Sequence, residues 1–363
     1  MKQGMKTIAS VLAGGAMFAG AMGCGGDDPE SIVVNTPELT VIADGSDDVV
    51  DPNDLEFHPD ADRADELWVL NEDSSMRGGS TVTLFGVGTE EMESEHIRDG
   101  NDMHFMADPT SMAFSENGHW ATGCGVQDAN YQGGTFAGPS MWSSDFEIHG
   151  AVGDPPTPEV NGSHLDMLHG SPYSMGIAHE DHNAFWVYDG HHGYIVRYDF
   201  VEPHPPGGSD HSNGRIRRYK ETEIERHDEL PSHMVLDKDT DILYVNDTGN
   251  DRVMRLDITT GEEMDELGII NEPLAEHTEY GGVDWSEFGD TDFSEPTGMA
   301  LYDGELYISN HGTNELIVLD AESGELLDRG QVDAGIRGLT FSADGELYAV
   351  NYDTNEVLHV EWR

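Results

Sequence analysis

With 363 residues the chain has room for one large β domain or two ordinary ones. Its 72 acidic residues stand against 17 Lys+Arg, a formal net charge of −55, and so negative a surface repels phosphate backbones and anionic lipid heads, which argues against a nucleic-acid partner. Hydrophobic residues still make up 37% and fall in regular β runs, which argues against disorder.

The first 23 residues read as a targeting segment. Lys2 and Lys6 form a basic start, and Ile8–Ala21 is an apolar, small-residue run shorter than the roughly 20 residues a membrane-spanning helix needs. The segment ends Ala21-Met22-Gly23-Cys24, with Gly25-Gly26-Asp27-Asp28-Pro29 behind it. This resembles a bacterial lipoprotein signal. The resemblance implies lipidation of Cys24, a tether over 24–37, and an exported protein held at a bacterial membrane, cell surface or periplasm. Cys124 is the other cysteine; without a partner for a disulfide it reads as a small buried residue.

From residue 38 a three-strand unit repeats. Its first strand is expected at 54–57, 109–114, 172–177, 231–236, 296–301 and 336–341, often behind a proline (Pro109, Pro172, Pro231, Pro296). The second follows at 67–70, 119–122, 185–188, 242–245, 306–309 and 347–350, and the third at 81–85, 194–198, 252–256, 315–319 and 356–360. In the second copy the third strand is hidden before Trp142. Short β runs punctuated by turn residues at this pitch predict antiparallel meanders, and six copies at 40 to 65 residues predict a propeller. The expected fold is all-β: residues 38–363 form a six-bladed β-propeller of four-stranded blades. The last copy supplies only three strands, so Leu39–Ala43 is expected to complete it and to remove the exposed sheet edge.

The wording of the repeat, clearest at 231–257 and 296–320, resembles the NHL-repeat propellers over about residues 50–360. In such a meander the lead-in to the first strand and the turn between second and third strands share one end, so six of each converge on one channel mouth. Nine of the 18 histidines fall in these segments, with acids such as Asp108, Asp166 and Asp189 nearby. Neutral imidazoles suit zinc first and copper second. His104, His169 and His233 lie nearest to first strands, and His311 stands opposite; these four are the expected metal ligands. A narrower resemblance, to the amidating-lyase family of propellers acting on peptidyl-hydroxyglycine, rests on His104-Phe105 before Pro109-Thr110 and on Pro231-Ser232-His233. It implies a His-ligated zinc, although the family's Pro-His-Ser order is reversed here and no counterpart of its catalytic tyrosine and arginine is identified.

Other motifs carry less. Asp237-Lys238-Asp239-Thr240-Asp241 opens like a calcium loop, but Ile242 and Thr248 occupy the positions where an EF-hand has Gly and Glu; it reads as a solvated hairpin, with calcium left open as a cofactor. The segment Glu202–Asn213 reads as a surface insertion. Two functions compete: a tethered, monomeric propeller binding a protein, glycan or small molecule at its mouth, and a metal-dependent lyase or hydrolase working there.

Only four lysines accompany the evenly spread acids, a composition that favours adaptation to high salt. Added salt shortens the screening length from about 10 Å at 0.1 M to about 3 Å at 1 M. The melting temperature is therefore expected to rise from low salt to molar KCl; a flat or falling curve would contradict this.

Overall fold

The structure is a computed structural model and describes residues 36–89, 91–332 and 335–362. Cys24, the leader and nearly all of the tether lie outside the described residues. Six four-stranded antiparallel meanders follow one another. Blade 1 comprises Pro52–Phe57, Leu67–Asn71, Ser80–Phe85 and Glu93–Ile97, and blade 2 comprises Pro109–Phe114, His119–Cys124, Ser140–Ser143 and Asp166–Met167. Blade 3 is Ser174–Asp181, Ala184–Asp189, Tyr194–Asp199 and Arg215–Tyr219; blade 4 is Met234–Asp237, Ile242–Asp247, Arg252–Asp257 and Asp284–Phe288. Blade 5 is Pro296–Tyr302, Glu305–Asn310, Glu315–Asp320 and Leu326–Gln331. Blade 6 takes Ile336–Phe341, Leu347–Asn351 and Glu356–Glu361 from the C-terminus and its outer strand, Glu38–Ala43, from the N-terminus. The first strands of successive blades touch around the ring, and those of blades 1 and 6 touch each other. The chain is a six-bladed β-propeller.

Period-two alternation builds the core. A middle strand is covered on both faces, so its residues are apolar throughout and divide between two neighbours. In blade 3, Trp186 and Tyr188 pack toward blade 4 while Phe185 and Val187 pack toward blade 2. In blade 1, Trp68 and Leu70 face blade 2, and Leu67 and Val69 face blade 6. One buried cluster fills each of the six blade junctions, the last between blades 5 and 6 around Leu316, Leu339 and Leu358.

Closure follows the expected pairing, with Leu39 opposite Val360, Thr40 opposite His359 and Val41 opposite Leu358. Two details differ from the sequence reading. The third strand of blade 2 contains Trp142 rather than preceding it. A hairpin of Glu262–Glu266 and Glu276–Gly281 interrupts blade 4 before its outer strand, and its second strand runs parallel to Arg215–Tyr219, widening blade 3 to six strands. The hairpin's acids explain the docking: Glu276 pairs with Arg217 at 2.7 Å, and Glu279 pairs with Lys220.

The inner strands come close enough to require glycine. A Cβ on Gly176 would overlap the Ser232 carbonyl of blade 4, and one on Gly298 would overlap the Arg337 carbonyl of blade 6. Both obstacles are backbone and cannot swing aside. Gly298→Ala is expected to lower stability by about 1–3 kcal/mol in denaturant titration. Gly45→Ala, where a Cβ meets nothing within 4 Å, is expected to stay within about 0.5 kcal/mol. Equal effects would contradict the close approach.

Candidate functional site

The lead-ins and the second turns do converge. At that end of the channel lies a cavity of about 580 Å³, lined from the lead-in side by Asn53, Asp108, Thr110 and Pro231 and from the turn side by Glu72, Gly125, His311 and Asp353. The residue just before the inner strand is left-handed in four blades: Asp51 (φ 46°), Asp108 (φ 42°), Tyr173 (φ 53°) and Glu295 (φ 51°). Such backbone is uncommon for residues other than glycine, and strain of this kind gathers where side chains must be aimed. Asp108 and Tyr173 both line the cavity.

Two arginines give the mouth its character. Arg337 is buried on the inner strand of blade 6, with its guanidinium carbon 3.3 Å from the centroid of the Tyr352 ring. It donates to Asn53 Oδ1 at 2.6 Å and lies 3.7 Å from Glu72. Asn53 in turn donates to Glu72 at 3.0 Å and to the Pro109 carbonyl at 2.8 Å. Arg226 lies 4.1 Å over Tyr173 and 3.0 Å from Asp228. Burial raises the pKa of Glu72, and burial together with the neighbouring Glu72 pushes Asp108 up to about 6. Carboxylates with raised pKa thus sit beside guanidinium groups in one polar cavity.

The four expected metal ligands separate. His311 lines the mouth, 3.6 Å from Glu295. His233 is buried deeper in the channel: its Nε2 is 3.0 Å from the Thr110 carbonyl and its Nδ1 is 3.6 Å from Asp54. His104 and His169 lie near each other, ring centroids 6.3 Å apart, beside the outer strand of blade 2. Among the described residues, none of the four joins a group of three His, Cys, Asp or Glu with donor atoms within 4.8 Å of one another. The reason is chain path. The connection to each inner strand begins at the outer edge of the previous blade, so a histidine three or five residues before the proline is still at the rim. His277 is on the inserted hairpin and accepts from Arg218 Nε at 2.9 Å.

The opposite end holds a second cavity of about 360 Å³, bordered by Asp54, Glu56, His179, His233 and Lys238. Glu56 accepts the Phe114 N–H at 2.6 Å, and burial pushes its pKa up to about 8. Lys238 donates to His179 Nδ1 at 2.7 Å, and burial, with that lysine, pushes His179 down to about 4. The Asp237–Asp241 turn closes on itself, with Asp237 accepting from the Asp239 N–H and the Thr240 hydroxyl. Cys124 is buried and free, its thiol pushed up to about 12. The arginine–tyrosine pairs were not picked out by sequence reasoning, although an arginine inside the apolar inner strand Ile336–Phe341 was a usable signal.

No protein-family model matches this sequence, and no curated protein matches it. Solved structures do match in fold. An auxiliary nutrient binding protein from Bacteroides ovatus aligns at TM-score 0.53 and 11% identity, over 90% of this chain and 76% of that one. A luciferin-regenerating enzyme aligns at 0.51 and 11% identity, over 90% and 95%. Virginiamycin B lyase from Staphylococcus aureus aligns at 0.50 and 11% identity, over 90% and 100%. At these identities the likeness is one of fold.

The raised pKa of Glu56 has a defined sign. Its folded value lies above the ordinary 4.5, so the native state holds the proton more tightly and loses stability as pH rises from about 4.5 to about 8. Glu56→Gln removes that loss while keeping an acceptor for Phe114. It is expected to match wild type near pH 5 and to exceed it by on the order of 3 kcal/mol near pH 9, allowing for screening in a partly open cavity. A difference independent of pH would contradict the burial argument.

Proposed function

We propose that the chain is an exported, surface-tethered propeller that binds a neutral, hydroxyl-rich small molecule, a saccharide, at its channel mouth. The observation that carries this is the mixed-sign cavity. Arg226 and Arg337 donate, Glu72, Asp108 and Asp228 accept, and Tyr173 and Tyr352 brace the two guanidinium groups. Fixed donors alternating with acceptors match vicinal hydroxyls, whereas a ligand of either charge meets groups of its own sign. The fold likeness to nutrient-binding proteins of Bacteroides supports the same reading. Export and anchoring through Cys24 rest on the leader; no helix among the described residues is long and apolar enough to cross a membrane.

A catalytic reading, a lyase or hydrolase, draws support from Asp108, whose pKa near 6 at a left-handed backbone suits a general base.

Calorimetric screening of neutral saccharides and sugar acids against the full chain tests the binding reading. A neutral saccharide is expected to bind, and Arg226→Ala to weaken it by about 10-fold or more, the loss of a hydrogen bond to a charged donor. Lys238→Ala, at the far end of the channel, is expected to leave binding unchanged. Arg226→Ala binding as wild type would remove the mouth as the site.

A further inference from the structure

Away from the channel, at the outer edge of blade 2, histidines from two segments meet a buried carboxylate. Asp166 lies in the outermost strand of that blade, and His164 stands two residues before it in the chain. His204 and His211 come from the loop between the third and fourth strands of blade 3. The loop is tied down by the Gly207 N–H on the His164 carbonyl at 2.9 Å and the Asn161 N–H on the Gly207 carbonyl at 3.0 Å. One donor atom each from Asp166, His204 and His211 falls within 4.8 Å of the others. Ligands of a tetrahedral zinc with bonds of about 2.1 Å stand about 3.4 Å apart, so small ring rotations would close the set.

Hydrogen bonding decides what these groups lack. His164 Nδ1 is 3.1 Å from the Asn161 carbonyl, and His204 Nδ1 is 2.8 Å from the Pro205 carbonyl. A carbonyl only accepts, so each Nδ1 carries the proton and each Nε2 presents a lone pair. His169 follows the same logic, with Nδ1 2.7 Å from Glu272 Oε2. The Nε2 atoms of His164, His169 and His204 are all buried without a hydrogen-bond partner among the described residues, and so is Asp166 Oδ2. Asp166, His164 and His169 are at most 4% exposed. Asp166 Oδ1 is occupied, accepting the Met167 N–H and lying 2.7 Å from His211 Nδ1. His164 is stacked on Phe105 at 3.5 Å, and His204 is 5.0 Å from His164 and 5.2 Å from His211, centroid to centroid. Four buried acceptors are therefore gathered with no donor to serve them. Imidazoles held through Nδ1 by a carbonyl or carboxylate are also the arrangement that orients metal ligands.

We propose that Asp166, His204 and His211 form a binding site for a divalent transition-metal ion of the zinc class, with His164, which stands outside the 4.8 Å set but 5.0 Å from His204 ring to ring, turning in as the fourth ligand and His169–Glu272 flanking it. Three nitrogens and one oxygen suit zinc ahead of the harder calcium and magnesium, which take oxygen ligands. A cation satisfies the unpaired Asp166 oxygen and the lone pairs of His164 and His204 together, and it pins the blade 3 loop to blade 2. The site is separate from the mouth and stands whether or not a saccharide binds there.

Isothermal titration of the chelator-treated full chain with zinc alone tests it. Wild type is expected to bind one equivalent and to gain melting temperature. The double variant His204→Ala/His211→Ala, confined to the loop, is expected to lose affinity by more than about 100-fold, the upper end of what losing a supporting contact costs. Its melting temperature in chelator is expected to equal that of chelator-treated wild type. His204→Gln, which keeps the bulk of the side chain, provides the same test should the double variant fold poorly. His311→Ala, in the mouth, is expected to bind zinc as wild type does. Equal affinity in wild type and the loop variants, absence of zinc binding in wild type, or loss of zinc in His311→Ala would each overturn the proposal.

Discussion

The ladder between the chain's two ends holds the ring. Glu38–Ala43 pairs antiparallel with Glu356–Glu361, and without it the last blade would end on an unpaired strand beside the first. The pairing also fixes the inner strands of blades 1 and 6 side by side, where a Cβ on Gly338 would press on the Asp54 backbone. Arg337, next to Gly338, donates to Asn53 of blade 1 at 2.6 Å. The mouth's central guanidinium is thus held across the same seam that closes the fold.

Each blade lines the mouth near one end of its sheet, through its lead-in, the start of its inner strand or its second turn. Middle strands are spent on packing, as the six junction clusters show, and they leave only turns and lead-ins to vary. A left-handed residue precedes four of the inner strands at the mouth, where lead-in residues such as Asp108 and turn residues such as His311 line one cavity.

Much of this was legible in the sequence. The second strands were placed within about two residues because alternating apolar runs such as Leu67–Asn71 and Ala184–Asp189 have no other stable reading, and the three-strand remainder at the C-terminus implied the closing strand. The convergence of lead-ins and turns followed from meander geometry alone. The inserted hairpin was not legible: Glu262–Glu266 is exposed along its length and has no apolar alternation, and its neighbour strand pairs with another blade. Nor was the distribution of histidines. Distance from a proline says how near a residue is to an inner strand along the chain, not whether it has left the rim. The proline- and glycine-rich stretch at 202–213 read as a surface insertion, yet the backbone bonds of Gly207 return its two histidines to Asp166.

The histidine-rich mouth expected from the sequence therefore divides into two places, a polar cavity on the axis and a cluster of imidazoles at the edge of blade 2. His233 and His311 stay with the channel; His233 Nε2 is 3.0 Å from the Thr110 carbonyl, whereas His311 Nδ1, 3.6 Å from Glu295, has no hydrogen-bond partner among the described residues. Ligand recognition and metal binding are proposed to be separate, and anomalous X-ray diffraction at the zinc edge, from crystals of the full chain grown with zinc, tests that separation most directly. The account expects a strong peak among Asp166, His204 and His211 and none in the channel. A peak at His233 or His311, with the blade 2 edge empty, would contradict it.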